Sequence, residues 1–383
     1  MTGTLDGVLV ADFSRVLAGP YATMLLADLG ATVIKVERPV VGDDTRAWGP
    51  PFAPDGQSTY FQSVNRGKKS IDLDLGSPGD RAVAEALARR ADVLVENYKP
   101  GGLARFGLDY GTVRTANAGI VYCSISGFGS GAGADLPGYD LLVQAMGGLM
   151  SITGDAEPTK AGVALVDVLT GLHATVGILA ALRHREAMGI GQHLEVTLLG
   201  ALQSSLVNQA SAFVGAGVVP GRLGNAHPSI APYEVLAARD RPIVVAVGND
   251  GQFARLAEVI GLPGIAADPQ FATNSARVRN RMALRVLLEA RLGERDADAW
   301  QVDLTAVGVP CGPINDVAQG FALAERLGLE PVVTLVDGPR RVRQVANPVR
   351  FSATPIAYRG APPGIGEDRA EVLAMLGMSG APA

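Results

Sequence analysis

The first third of the chain alternates between segments typical of strands and segments typical of helices. The apolar run VLVADF (8–13) precedes a helical segment (18–30) that ends on Gly30, and a second apolar run, ATVIKVE, follows at 31–37. The same order returns in KSIDLDL (69–75), PGDRAVAEALARRA (78–91), DVLVEN (92–97) and IVYCSISG (120–127). Because parallel strands need a crossover between them, this order predicts an α/β fold with a parallel, doubly wound sheet.

The rest of the chain predicts two more helices and then a second, smaller α/β domain. The helices follow Pro137, and the second of them starts near Asp167 and runs to about Arg185. The smaller unit has a strand at 242–248, helices at 250–261 and 275–293, and a loop at 309–316.

A segment rich in glycine and proline, 214–233, separates these parts and is typical of a linker. We therefore expect a large domain of residues 1–200 and 325–383, a linker of residues 201–230, and a small α/β domain of residues 231–324. In this arrangement the C-terminal segment returns to the large domain.

Composition excludes several classes of partner. The net charge of -5, from 38 acidic and 33 basic residues, offers no basic surface for nucleic acid. Cys123 and Cys311 are the only cysteines, which argues against a disulfide framework and favours a reducing compartment. The N-terminus lacks the charged segment and cleavage site of a signal peptide, and the apolar run 168–182 is short for a membrane span. We expect a cytoplasmic protein with no membrane partner.

Cofactor and metal motifs are missing from the sequence. The turn after the first strand, SRVLAGP, lacks G-x-G-x-x-G, and the glycine-rich GFGSGAG (127–133) is followed by Pro137 where a helix would have to run. Walker A and G-x-S-x-G motifs are absent as well. The four histidines, His173, His184, His193 and His227, do not form an i, i+4 pair. The sequence therefore predicts no tightly bound cofactor and no metal.

Asp167 is the one formal charge in the segment AGVALVDVLTGLHATVGILAAL (161–182). An unpaired carboxylate in apolar surroundings is costly, so it has either a partner or a task. As a structural residue it would cap the helix. The small residues Gly171, Ala174, Gly177 and Ala181 follow at three- and four-residue steps, which allows close helix packing and leaves space above the carboxylate. The helix dipole would keep such a carboxylate ionised, and therefore nucleophilic.

The sequence resembles the class III coenzyme A transferases, which include formyl-CoA:oxalate and carnitine CoA-transferases. The match runs from residue 5 to about 375 and rests on several blocks in the family's order: ADFSRVLAGPYATMLLADLGATVIKVERP, GDDTRAWGPP, NRGKKSIDLDL, ADVLVENYKPG, GYDLLVQAMGG, DVLTGLHATVGILAAL, NAHPSIAPY, AVGNDGQFARL and GVPCGPI. The resemblance implies a Rossmann-like large domain, a small α/β domain and a homodimer of interlocked chains.

The resemblance also implies roles for individual residues. Asp167 stands where the family has its catalytic aspartate. Positions that would contact coenzyme A are Leu17, Ala18, Arg38, Leu73, Asn97, Tyr98, Arg105, Ser126, Gly127 and Phe128. Arg38 and Arg105 would hold phosphate or adenine, since guanidinium groups suit both. Coenzyme A and acyl-CoA are then substrates rather than resident cofactors.

The implied chemistry is the transfer of coenzyme A from an acyl-CoA donor to a small carboxylic acid, through aspartyl anhydride and aspartyl-CoA thioester intermediates. Each step needs oxyanion donors, for which Gly248 and Asn249 are candidates, and a site closed to water. Trp48 and Tyr139 are candidates for the acyl pocket.

Some positions depart from the formyl-CoA transferases. Leu17 replaces a glutamine and Ser126 a lysine, which argues against oxalate or formate as substrate, and Asp368 replaces a common histidine. The glycine-rich run that those enzymes carry in the small domain has no counterpart here. One alternative is a 2-methylacyl-CoA racemase of the same superfamily, although its histidine position is Tyr139, a poor base at neutral pH. The other is a non-catalytic CoA-binding subunit.

Overall fold

The computed structural model of the chain describes residues 3–356 and 358–378. These residues form two compact units. The large unit consists of the residues up to Leu149, Ala161–Val218 and the residues from Glu330 onwards. The small unit consists of Met150–Lys160 and Val219–Leu329.

The described residues contain eleven strands and fifteen α-helices. The strands are β1 (Leu9–Asp12), β2 (Thr32–Glu37), β3 (Lys68–Asp72), β4 (Val93–Glu96), β5 (Val121–Ser126), β6 (Gln192–Thr197), β7 (Tyr233–Ala237), β8 (Pro242–Ala246), β9 (Cys311–Pro313), β10 (Val332–Asp337) and β11 (Arg340–Val345). The helices are α1 (Ala18–Asp28), α2 (Thr59–Ser63), α3 (Pro78–Arg90), α4 (Tyr110–Ala116), α5 (Asp140–Met146), α6 (Leu149–Ile152), α7 (Leu165–Met188), α8 (Leu198–Ser205), α9 (Val207–Ala216), α10 (Asp250–Val259), α11 (Asn274–Arg279), α12 (Arg281–Leu292), α13 (Ala297–Ala306), α14 (Val317–Arg326) and α15 (Arg369–Leu376).

The predicted parallel sheet is confirmed, and it forms the centre of the large unit. Its six strands run in the order β3-β2-β1-β4-β5-β6, and all neighbouring pairs are parallel. Apolar clusters cover both faces, which is why β1, β2 and β4 are continuous buried runs rather than alternating ones. The order reverses between β1 and β4, and ligands of such sheets bind at this switch point, beyond the carboxyl ends of the strands.

Helix α7 is the longest helix of the large unit, and it packs against α1. Gly171 makes this contact possible, because a methyl group built there would lie 2.7 Å from the carbonyl oxygen of Ala18. The helix ends at Gly189, which adopts φ +74 as the left-handed C-terminal residue. By length and composition alone α7 would pass as a membrane span, a property it shares with the apolar core helices of many folded proteins.

The small unit is built on a three-stranded antiparallel sheet, β7-β8-β9, covered by an apolar cluster. Three segments differ from the sequence expectation. The first half of the predicted linker is helical and forms α8 and α9, since its sequence is rich in alanine, leucine and glutamine. Residues 150–160 join the small unit, and the predicted loop 309–316 contains the short strand β9, which pairs with β8.

Candidate active site

Asp167 lies in the first turn of α7, as its third residue, and it is not the cap. The helix begins at Leu165, and the preceding Ala164 provides no side-chain cap. Instead, Oδ1 of Asp140 accepts hydrogen bonds from the amides of Val166 and Asp167, at 2.8 and 3.2 Å. The helix that carries Asp167 is therefore capped by a residue from another helix.

Asp140 is itself held in place by Gln144, which is almost fully buried. The Gln144 side-chain amide donates to Oδ2 of Asp140 at 2.6 Å, and its Oε1 accepts from the amide of Ala161 at 2.9 Å. Asp140 therefore has little freedom to turn away from the start of α7.

The environment of Asp167 raises its pKa to about 7. Burial is the main cause, and the negative charge of Asp140 adds to it. This corrects the expectation that the helix start would keep Asp167 ionised, because the first-turn amides are engaged by Asp140, whose charge opposes a second carboxylate. Asp167 changes its charge near neutral pH.

Asp167 lines a cleft of about 380 Å³ in the large unit, beyond the carboxyl ends of β1, β4 and β5. This is the switch point of the sheet. Nine of the residues that the sequence suggested line this cleft: Leu17, Ala18, Asn97, Tyr98, Ser126, Gly127, Phe128, Tyr139 and Asp167. The structure therefore brings together residues that lie as far as 150 positions apart in the sequence.

The loop after β5 forms one wall of this cleft and is closed at its base by two glycines. A methyl group built on Gly127 would lie 2.4 Å from the Cα of Gly138, so neither position has room for a side chain. Inside the loop, Gly129 adopts φ +88 and its amide donates to Oγ of Ser126 at 3.1 Å. The loop leads directly into Tyr139, which is 66% exposed, and Asp140.

Arg15 and Lys99 are the cationic side chains that line the cleft, and the sequence reasoning missed both. Arg15 lies over the ring of Tyr98, 5.4 Å from its centroid, and its Nη1 contacts Oδ2 of Asp44 at 3.3 Å. Its Nε is buried and has no hydrogen-bond partner among the described residues. Arg15 therefore keeps donor capacity for an anion.

Three other predicted coenzyme A residues do not line the cleft. Arg38 is exposed and pairs with Asp44, which does line it. Arg105 lies over the ring of Phe106 at 4.5 Å. Leu73 is 2% exposed and packs in the core, so only its backbone is left for a contact with a ligand.

Trp48 also lies outside the cleft lining, but its ring contacts that of Tyr60, whose pKa is raised in part by the charge of Asp167. The rings of Trp48 and Tyr60 meet edge to face with centroids 5.2 Å apart. Burial raises the pKa of Tyr60 to about 12, and the charges of Asp167, Asp140 and Asp43 add to the shift. Tyr60 was not singled out from the sequence, where no local pattern marks it.

The two predicted oxyanion donors belong to the small unit. Asn249 caps α10, with its Oδ1 accepting from the amide of Gln252 at 2.9 Å. The amide of Gly248 donates to Oε1 of Gln252 at 2.7 Å. The Gly248 amide is thus already engaged within its own unit, and it would have to exchange that bond to serve an oxyanion.

Comparison with known proteins gives one consistent result. The model of "CoA-transferase family III" matches residues 5–369. A succinate–glutarate CoA-transferase of Agrobacterium fabrum is 45% identical over 382 residues, covering 97% of this chain and 95% of that protein. An acetyl-CoA:oxalate CoA-transferase of Acetobacter aceti is 41% identical, covering 91% and 90% of the two chains. A crystal structure of a CAIB/BAIF family protein from Brucella suis aligns with a TM-score of 0.88 at 43% identity, covering 98% and 100%.

Proposed function

The chain belongs to CoA-transferase family III, and on that premise we propose that Asp167 is the nucleophile that carries coenzyme A from an acyl-CoA donor to a carboxylic acid acceptor. The supporting observation is the state of the three carboxylates that line the cleft. Asp44 pairs with two arginines, and Asp140 binds the amides of α7. Among the described residues, the carboxylate oxygens of Asp167 have no hydrogen-bond or ion-pair partner, so they are free to attack a substrate.

The proposed reaction consists of four acyl transfers. A carboxylate oxygen of Asp167 attacks the donor thioester, which gives a mixed anhydride and the coenzyme A thiolate. The thiolate attacks the aspartyl carbonyl, which releases the donor acid and leaves an aspartyl-CoA thioester. The acceptor carboxylate displaces the thiolate from this thioester, and the thiolate then attacks the acceptor carbonyl, which forms the new acyl-CoA and regenerates Asp167.

The raised pKa of Asp167 fits this role, because a carboxylate is a better nucleophile when it is basic and poorly solvated. Asp140 contributes to that basicity and fixes the first turn of the helix. Partial burial also limits the access of water, which would hydrolyse the anhydride. Gly248 and Asn249 stay proposals for the oxyanion donors.

Coenzyme A would lie along the cleft across the ends of β1, β4 and β5, as expected for a Rossmann-like sheet with this strand order. Arg15 and Lys99 are available for its phosphates, and Arg38 and Arg105 would act from outside the cleft. Tyr98, Phe128 and the glycine loop provide apolar and backbone surface for the pantetheine arm.

For the acids, we propose dicarboxylates of four or five carbons as donor and acceptor, because the Agrobacterium fabrum relative is named for succinate and glutarate. Leu17 and Ser126 still argue against oxalate as a substrate. Because a relative is named for acetyl-CoA and oxalate, we include oxalate in the test and expect no transfer to it. A panel of succinyl-CoA and acetyl-CoA donors with succinate, glutarate and oxalate acceptors tests this assignment.

Trapping with hydroxylamine tests the nucleophile. Protein incubated with a donor acyl-CoA and hydroxylamine should carry a hydroxamate at residue 167, identified by mass spectrometry. Asp167→Asn should fold, bind coenzyme A and lose transfer, because the amide has nearly the same shape but cannot attack a thioester. Unmodified Asp167 during continuing exchange, or turnover by the asparagine variant, would refute the role.

We also propose a cytoplasmic homodimer with interlocked chains. The large unit exposes apolar side chains on two of its helices: Val176 on α7 is 66% exposed, and Phe213 and Val214 on α9 are 57% and 83% exposed. Burial of these side chains against a second copy of the chain would remove them from water. Sedimentation should give twice the chain mass, and Phe213→Glu with Val214→Glu should lower it; a monomeric wild-type protein would contradict the proposal.

A further inference from the structure

Val16 adopts a backbone conformation that valine rarely takes. Its φ is +70, in the left-handed region, where a β-branched side chain crowds the backbone. The residue lies in the loop between β1 and α1, and with its neighbours Arg15 and Leu17 it lines the cleft. Strain of this kind persists only where the surroundings impose it.

Side chains impose this conformation on the loop. Arg15 exchanges two hydrogen bonds with the side-chain amide of Asn97, whose Oδ1 accepts from the Arg15 amide at 2.9 Å and whose Nδ2 donates to the Arg15 carbonyl at 2.7 Å. The carbonyl of Ser14 accepts from Nζ of Lys35 at 3.1 Å. The amide of Val16 donates to the carboxylate of Asp43, at 3.3 and 3.4 Å from its two oxygens.

Asp43 is well placed to hold Val16 because it is itself immobilised. Its side chain and that of Lys35 are fully buried and form an ion pair at 2.9 Å. The other carboxylate oxygen accepts from the amide and the hydroxyl of Thr45, at 2.9 and 2.7 Å. A buried ion pair with this many hydrogen bonds has one arrangement, and loss of one partner leaves the other charge uncompensated.

The loop also connects to the helix of the nucleophile. It ends at Ala18, the first residue of α1. The carbonyl of Ala18 lies against Gly171, which is four residues after Asp167 and therefore one helical turn below it on the same side of α7. A shift of the loop would thus move the cleft wall relative to the carboxylate of Asp167.

We propose that Asp43 is a positioning residue: it holds Val16 in the left-handed conformation and so fixes the wall formed by Arg15, Val16 and Leu17 relative to Asp167. The inference rests on the proposed function of Asp167. Removal of the negative charge would let the valine relax to negative φ and displace the wall. A glycine at position 16 has no such strain to release.

The test is therefore a rescue experiment. Asp43→Asn should lower kcat for CoA transfer by about 10- to 100-fold, the loss expected for reacting groups displaced by about 1 Å. Adding Val16→Gly should recover most of that loss, since glycine occupies positive φ without strain and has no side chain that would push the loop out of this conformation. Val40→Gly is the matched control, because Val40 has φ +68 but is 90% exposed and lies outside the cleft lining. It should recover nothing.

Thr45→Val provides a milder version, in case Asp43→Asn does not fold. It removes the hydroxyl that orients Asp43, and it should give a smaller loss of kcat that Val16→Gly again recovers. Full activity of folded Asp43→Asn, a loss that Val16→Gly does not recover, or equal recovery by Val40→Gly would overturn the positioning role. An inactive wild-type protein would instead overturn the proposed function, and the same variants would then be compared by their affinity for coenzyme A.

Discussion

The negative charge of Asp140 contributes to the raised pKa of Asp167, and this contribution should be visible in the pH dependence of the reaction. With a pKa of about 7, Asp167 is about 9% ionised at pH 6 and about 90% ionised at pH 8. If the ionised form attacks the thioester, kcat/KM of the wild-type protein rises about tenfold between these two pH values. Asp140→Asn removes the neighbouring charge but keeps an oxygen that can accept from the amides of Val166 and Asp167.

We expect the pKa of Asp167 to fall by about one unit in this variant, which corresponds to about 1.4 kcal/mol. The ionised fraction at pH 6 then rises from about 9% to about 50%, a gain of about fivefold, whereas at pH 8 it changes little. The pKa falls because loss of a nearby negative charge favours the ionised form of a carboxyl group. The absolute rate can change for other reasons, so the midpoint of the pH profile is the quantity to compare.

The assay is the pH dependence of kcat/KM for CoA transfer from pH 5 to 9, in buffers of constant ionic strength. Asp135→Asn is the matched control, because Asp135 is an exposed carboxylate in the preceding loop and does not line the cleft. Its midpoint should equal that of the wild-type protein. A wild-type midpoint near 4, or an unchanged midpoint in Asp140→Asn, would refute this account of the site.

Three further predictions concern stability and reaction type. Asp167→Asn should raise the melting temperature at pH 8 more than at pH 5. The pKa of Asp167 is 3.8 in the unfolded chain and about 7 in the folded state, so this residue destabilises the folded state increasingly as the pH rises above 3.8, and by about 4 kcal/mol above pH 7. An equal effect at both pH values would contradict this. Gly171→Ala should lower the free energy of unfolding by about 1–3 kcal/mol in chemical denaturation. Gly177→Ala, whose methyl group would lie 3.6 Å from Leu194, should instead raise it by up to about 1 kcal/mol. Similar effects of the two substitutions would show that α1 moves to accommodate the new methyl group. In deuterated water without an acceptor acid, a chiral 2-methylacyl-CoA should gain no deuterium at its α-carbon, and uptake would instead support the racemase alternative.

The parallel sheet could be predicted because its central strands are buried on both faces and read as continuous apolar runs. The edge strand β6, with the sequence QHLEVT, was missed because it is largely half-exposed and carries polar residues. The helices α8 and α9 were taken as linker because nearby glycines and prolines dominated the interpretation. Both errors concern segments whose structure depends on what packs beside them.

At the site, Asp167 was found because a single charge in an apolar helix is conspicuous. Asp140 was missed because the amides it binds lie 26 and 27 residues further along the chain, where no local pattern joins them. Family membership also removes the alternative of a non-catalytic subunit, since the relatives are named as transferases. The pKa of Asp167 was misjudged for the same reason that Asp140 was missed: the sequence shows where the helix starts, but not that a distant carboxylate binds the amides of its first turn.

The contact between Gly127 and Gly138 has a consequence for how such a cleft can diversify. Since Gly127 and Gly138 are in contact, the ten residues between them form a nearly closed loop. The contact between the two glycines involves only backbone atoms, so it does not depend on which side chains the loop carries. Exchanges or insertions at the tip of that loop can alter the outer rim of the cleft while Tyr139, Asp140 and the start of α7 stay where they are. Selection can thus reshape this rim of the cleft without disturbing the carboxylate of Asp167.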